Sequence, residues 1–187
     1  MPVISVTLLP GYDAATEERL VQRLALAARS VIAAPAAGTT SYVKHASTYQ
    51  RDGRVVRAGG APHPDASALV RDFLARMQER ELDAARQLLA PGFVMSFPGG
   101  APMTRLEELL EWARGRYQRL AKRIERMDES WGDGLTTVHC SGTLQGVWLD
   151  GSAFEGVRFI DRFEVAGGLI QRQEVWNDLA EQRPRAA

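Results

Sequence analysis

At 187 residues the chain can hold one domain or two, so the count must rest on pattern. Its 45% hydrophobic and 25% charged residues, with 23 acids against 23 bases, fit a soluble globular protein and exclude disordered and fibrous classes. Zero formal charge gives no long-range field for a phosphate backbone, and the run Arg119, Lys122, Arg123 and Arg126, interleaved with Leu120, Ala121 and Ile124, reads as a solvated face rather than a nucleic-acid surface.

In chain order, Val3 to Leu9 is β-branched, apolar and stopped by Pro10-Gly11, which predicts a buried strand. Asp13 then stands as a candidate N-cap. Leu20, Val21, Leu24, Ala28, Val31 and Ile32 recur at helical spacing up to Pro35. A second strand is expected at Ser41 to Tyr49, and Asp52-Gly53 favours a tight hairpin turn before Val55 and Val56. The first unit therefore reads as β-α-β with a terminal hairpin, residues 1–57. Arg57 to Asp65 carries two glycines, two prolines and no large apolar residue, so residues 58–65 read as a linker.

The second unit, residues 66–180, begins with two helical stripes, Leu69, Val70, Phe73, Leu74 and Met77, then Leu82, Ala85, Leu88 and Leu89. A short strand is expected at Phe93 to Phe97. A third helix follows, opened by a capping box of Thr104 and Glu107. Strands are then expected near Lys122 to Trp131, Leu135 to Leu149, Phe154 to Val165 and Leu169 to Asp178, before a polar tail at 181–187. Helices first and an antiparallel meander afterwards is an α+β arrangement.

Cys140 is the single cysteine, so one chain can form neither a disulfide nor a cysteine-based metal site, and a reducing cytoplasmic home is the default expectation. The scattered His45, His63 and His139 match no metal-ligand spacing; no metal and no other cofactor is expected. Met1 to Leu9 lacks a basic start with a long apolar run, and no stretch reaches the ~18 apolar residues of a membrane span, so no membrane role is expected.

Pro2 carries the first chemical possibility. Loss of Met1 would leave a secondary amine, one of the few groups that titrates near neutrality, and burial at a sheet edge would favour its neutral, basic form. Pro2-Val3-Ile4, a helix about ten residues later and Ala34-Pro35 before the second strand resemble the 4-oxalocrotonate tautomerase family. The resemblance implies that Pro2 shuttles a proton between carbon and oxygen of an enol or α-keto acid. Members that act on dicarboxylates carry arginines where this chain has Tyr12 and Thr40, so a dicarboxylate is not the expected substrate. Tyr12, Lys44 and His45 remain candidate substrate-binding residues.

In Val157-Arg158-Phe159-Ile160-Asp161-Arg162-Phe163-Glu164-Val165, strand alternation puts Asp161 on one face with Val157, Phe159, Phe163 and Val165. A carboxylate there costs several kcal/mol to keep charged unless paired, which makes Asp161 either an ion-paired core residue or a candidate acid/base group. At Gln173 to Asp178, Gln173 and Asn177 share one face and Glu174, Trp176 and Asp178 the other; one set lines a cavity. Tyr117, Trp148, Trp176 and Asn177 are candidate ligand contacts, while His139 is expected on the outer face. The element order, with "RFIDRFE" followed by "EVWND", resembles the SnoaL-like, ketosteroid-isomerase-like or nuclear-transport-factor-like superfamily. That resemblance implies a cone-shaped sheet with three helices and a pocket carboxylate acting beside a carbonyl.

The expected function is proton transfer adjacent to a carbonyl of a small, mostly apolar carbonyl or enol substrate, with Pro2 or Asp161 as base. The alternatives are an isomerase or cyclase in which the second unit alone is catalytic, and a non-catalytic ligand-binding protein assembled by its first unit. A 57-residue β-α-β unit is too small to bury its own sheet, so a homo-oligomer is expected under each reading.

Overall fold

In a computed structural model, residues 1–51, 54–56, 65–132 and 134–182 are described. They divide into two compact units, Met1–His63 and Pro64–Ala187.

In the first unit, β1 (Val3–Leu8) and β2 (Thr40–His45) pair in parallel, joined by α1 (Ala14–Val31). Asp13 caps the helix as its sequence position suggests, its Oδ1 accepting from Thr16 N–H at 2.7 Å. The Ser41 hydroxyl donates to the Val21 carbonyl at 2.7 Å and ties β2 to the helix. Side chains of β1 alternate strictly, with Ile4, Val6 and Leu8 half-buried and Val3, Ser5 and Thr7 exposed. The expected second strand to Tyr49 is interrupted: β2 ends at His45, and β3 (Tyr49–Arg51) pairs antiparallel with β4 (Arg54–Val56) as the expected hairpin. Asp52-Gly53, Arg57 and residues 58–64 of the expected 58–65 linker lie outside the described residues, as does 183–187 of the expected tail.

In the second unit, α2 (Ala66–Glu79) is capped by Asp65 and buries Ala66, Leu69, Val70 and Phe73. Its partner α3 (Leu82–Arg86) is shorter than expected, because Leu89 already belongs to β5 (Leu89–Ser96), whose Pro91-Gly92 interrupts the ladder with Gly92 at φ 82°. Helix α4 (Leu106–Arg114) also begins later than Thr104. Glu108, not Glu107, accepts from the N–H groups of Thr104 and Arg105 at 3.0 and 3.3 Å, and Glu107 is drawn away to Arg86 at 2.5 Å.

The strands β6 (Tyr117–Gly132), β7 (Leu135–Trp148), β8 (Ala153–Ala166) and β9 (Leu169–Asn177) form the expected meander. With β5 added in parallel to β9, the sheet order is β5-β9-β8-β7-β6. A short α5 (Leu179–Gln182) follows. The helices pack on one face of this sheet, where Phe73 meets Phe93 and Phe163 edge to face at centroid distances of 6.3 and 6.1 Å. Among the described residues no helix is long and apolar enough to cross a membrane.

Strand β6 shifts register twice, between Tyr117 and Arg119 and again between Ile124 and Arg126. Gly146 and Gly142 face those shifts: a Cβ on Gly146 would collide with the Arg119 carbonyl oxygen, and one on Gly142 with that of Arg123. The two glycines let β6 lie close against β7, so that Leu120, Lys122 and Ile124 all turn inward.

Candidate functional site

The inner face of the sheet and α2 and α4 enclose a cavity of about 300 Å³, within the size of small-molecule sites. Its walls are largely apolar, from Phe73, Leu74, Met77, Leu109, Leu120 and Ile124. Into this surface project two polar side chains at its deep end, Lys122 of β6 and Gln173 of β9.

Both converge on Asp161. The β8 alternation holds as the sequence predicts, with Val157, Phe159, Asp161, Phe163 and Val165 buried. Asp161 is fully buried, and its Oδ2 receives the Lys122 ammonium and, at 3.2 Å, the Gln173 Nε2 amide. Lys122, its side chain 17% exposed, also lies 4.7 Å above the Phe159 ring. Asp161 Oδ1 and Gln173 Oε1 are buried without a hydrogen-bond partner among the described residues. Buried polar atoms of this kind are rare and mark a place where a ligand or an ordered water completes the network.

Asp161 is therefore ion-paired, and its carboxylate sits behind Lys122 and Gln173 rather than on the cavity wall itself. The opposed charges offset each other's desolvation while leaving one donor face, the ammonium, directed to the cavity. Next to them Cys140, the cross-strand partner of Asp161, has its thiol pushed up to about 11 by burial and by the nearby carboxylate.

The expected solvated run on β6 is thus corrected for Lys122: strand alternation turns Leu120-x-Lys122-x-Ile124 inward as one face. That period-two spacing was the available signal. Gln173 resolves the open choice on β9, where it is buried and Trp176 is 51% exposed on the outer face.

Of the remaining candidates, Tyr117 lines the far end of the cavity, where burial raises its phenol pKa against the opposing effect of Arg80 and Arg116. Trp148, the cross-strand partner of Tyr117, is buried against Phe154 at a centroid distance of 4.4 Å and does not itself line the cavity. Asn177 stands at the start of α5, its Oδ1 accepting from Leu179 N–H at 3.2 Å. His139 is half-buried on the face opposite Val138 and Cys140, as expected.

In the first unit, the Pro2 carbonyl accepts from Thr40 N–H at 3.1 Å, where β1 and β2 begin. Lys44 and His45 pair with Thr7 and Leu8 at the other end of the parallel ladder, roughly 17 Å along the strand. Tyr12 follows β1 at that same end. Lys44 lies 5.5 Å from the Tyr42 ring centroid, and His45 contacts Glu17 at 2.7 Å. One chain does not bring these three candidates to Pro2.

The profile of the SnoaL-like domain matches residues 70–173. Among solved structures, an NTF2-like protein of unknown function from Burkholderia pseudomallei aligns with TM-score 0.52 and 16% identity over 62% of this chain and 92% of that one. A protein suggested to be a polyketide cyclase, from Xanthomonas campestris, aligns with TM-score 0.49 and 17% identity over 63% and 93%. An NTF2-like protein from Burkholderia thailandensis aligns with TM-score 0.49 and 20% identity over 60% and 90%. No curated protein sequence matches the chain. The profile match, spanning more than half of the residues, makes this chain a member of the SnoaL-like domain family.

Proposed function

We propose that the second unit binds a small, mostly apolar carbonyl compound in its cavity and moves a proton adjacent to the carbonyl, as an isomerase or cyclase. The observation that carries this reading is the Asp161-Lys122-Gln173 cluster: a buried carboxylate with one free oxygen, joined to two donors at the end of an apolar cavity. A carbonyl oxygen placed at Lys122 and Gln173 draws the ammonium off Asp161. Movement of Lys122 onto the carbonyl uncovers the carboxylate, whose unpaired Oδ1 takes a proton from the neighbouring carbon, and the electron pair passes to oxygen as an enolate held by Lys122. Return of the proton to another carbon gives an isomer. Attack of the enolate carbon on a second carbonyl closes a ring.

The test is hydrogen–deuterium exchange next to the carbonyl of 2-tetralone in D2O, followed by NMR. The wild-type protein accelerates exchange over buffer, and Asp161→Asn abolishes the acceleration while Lys122→Met reduces it by about 10²-fold or more. Acceleration unchanged by Asp161→Asn sinks the reading. A second reading, ligand binding without chemistry, is favoured by the complete burial of Asp161 behind its two partners. Binding without exchange by a panel of apolar ketones would select it.

For the first unit we propose the tautomerase-like reading, with Pro2 as base, and a domain organisation of residues 1–57, 58–65, 66–180 and 181–187. Its support is the parallel β1-α1-β2 arrangement opened by Pro2, and a division of the chain at His63 and Pro64, within the expected linker. We also propose self-association through this unit. None of its residues with described side chains is buried, and Val3, Leu26 and Val31 are exposed, Val31 by 86%.

A further inference from the structure

The cavity has a second polar end that the proton-transfer reading does not use. Tyr117 and Lys122 lie on the same strand, both turned inward and roughly 15 Å apart along it, with Leu120 between them. The Tyr117 hydroxyl makes no hydrogen bond to another described residue, and burial keeps the phenol protonated, hence a donor. Beside it on the rim is Arg80, close enough to act on the phenol's ionisation and without an ion pair among the described residues. Arg116 approaches the same phenol from α4's end, its guanidinium stacked 3.9 Å above the Trp112 ring. Among the described residues Glu79 is the one acid that lines the cavity.

The backbone at Arg80 adds an independent observation. Arg80 is the only described non-glycine residue with positive φ, 65°, and it closes α2 with its N–H directed to the Arg76 and Met77 carbonyls. That C-terminal position favours glycine, so a long cationic side chain is held there at a conformational cost. The cost is understandable if the guanidinium serves the cavity mouth.

We infer that the cavity takes an elongated ligand with an apolar middle and two polar ends, its carbonyl at Lys122 and Gln173 and an anionic group, such as a carboxylate, at Tyr117 and Arg80. The inference rests on the carbonyl site proposed above but not on its chemistry. An anion at Arg80 gains a charge-assisted pair and a phenol donor at once, while the methylene or ring body fills the apolar wall. Specificity then follows from the distance between the two ends.

The test is calorimetric binding of 9-oxodecanoate and of its methyl ester, which share the ketone and the chain and differ in the terminal charge. The wild-type protein binds the acid about 10-fold or more tightly than the ester. Arg80→Gln removes most of that difference by weakening binding of the acid, and Tyr117→Phe lowers affinity for the acid by a smaller factor. Arg80→Gly separates the fold from the ligand, because glycine relieves the left-handed backbone: its thermal midpoint rises while the preference for the acid disappears. Equal affinity for acid and ester, a preference that survives both Arg80 variants, or binding of neither compound overturns the inference. Selective binding of the acid without deuterium exchange beside its ketone would instead leave the inference standing and sink the proton-transfer reading.

Discussion

Lys122 and Asp161 meet out of register: Lys122 is the β6 partner of Leu144, whereas Asp161 is the β8 partner of Cys140, four residues earlier on β7. The ammonium therefore reaches diagonally across the inner face of β7. Removing one partner leaves an uncompensated charge in an apolar interior, which costs about 3–5 kcal/mol. Lys122→Met is expected to lose about that much in urea denaturation, and Asp161→Leu/Lys122→Met to recover a large part of it. Additive losses in the double variant would show that the two groups are not coupled.

The diagonal reach depends on the two register shifts of β6, and those depend on glycine. Any side chain at Gly142 or Gly146 meets a backbone carbonyl of β6, which cannot swing aside as a side-chain tip can. Gly142→Ala should therefore destabilise the unit by about 2–3 kcal/mol. It should also lower affinity for apolar ketones in folded protein, because Ile124 and Lys122 are displaced together. Ketone titrations at a urea concentration of zero, with circular dichroism to verify folding, separate the two effects.

These shifts mark the limit of what the sequence could disclose. Asp161 was legible because β8 keeps a perfect two-residue period between its bulky apolar residues, so one polar residue on the buried face stands out. Lys122 was not, because β6 carries polar residues on both faces and its bulges break the period on each side. Gln173 was seen to share a face with Asn177, but local alternation does not say which face of an edge-to-centre strand is covered. The α2 cover decides that, and it is a non-local contact. Likewise α3 stops short of its apolar stripe: Leu88 and Leu89 fit helical spacing, yet the parallel pairing of Leu89 with Ile170 claims Leu89 for the sheet and leaves Leu88 in the turn before it.

Cys140 gives a prediction with a definite sign. Its thiol, of ordinary value 9.0, is raised to about 11 chiefly by burial, so the folded protein holds this proton over a range in which the unfolded chain releases it. The contribution to stability is complete below about pH 9 and is lost as pH rises through about 11. The loss is on the order of 2 kcal/mol. Wild-type protein should therefore weaken between pH 8 and pH 11 more steeply than Cys140→Ala in urea denaturation, and the native thiol should resist alkylation at pH 8 until denaturant is added. Rapid alkylation of native protein would show that β7 opens at Cys140.

The Pro2 reading turns on the first residue of the chain. The Met1 side chain lies against Gly38, and the Pro2 carbonyl is held by Thr40 N–H. Loss of Met1 would thus leave the proline amine at the mouth of the β1-β2 ladder beside Gly38 to Thr40, a stretch without a charged side chain. An amine in that setting gains no carboxylate partner from its neighbours in sequence, and its neutral form is the nucleophile. Intact-mass measurement of untagged protein should find Met1 absent. A small electrophile that alkylates secondary amines should then label Pro2 selectively near neutral pH, by peptide mapping, and Pro2→Ala should abolish enol–keto exchange of α-keto acids while sparing ketone exchange at Asp161. Retained Met1, or a Pro2 no more reactive than an ordinary amine, would remove the catalytic role from the first unit and leave it only its part in assembly.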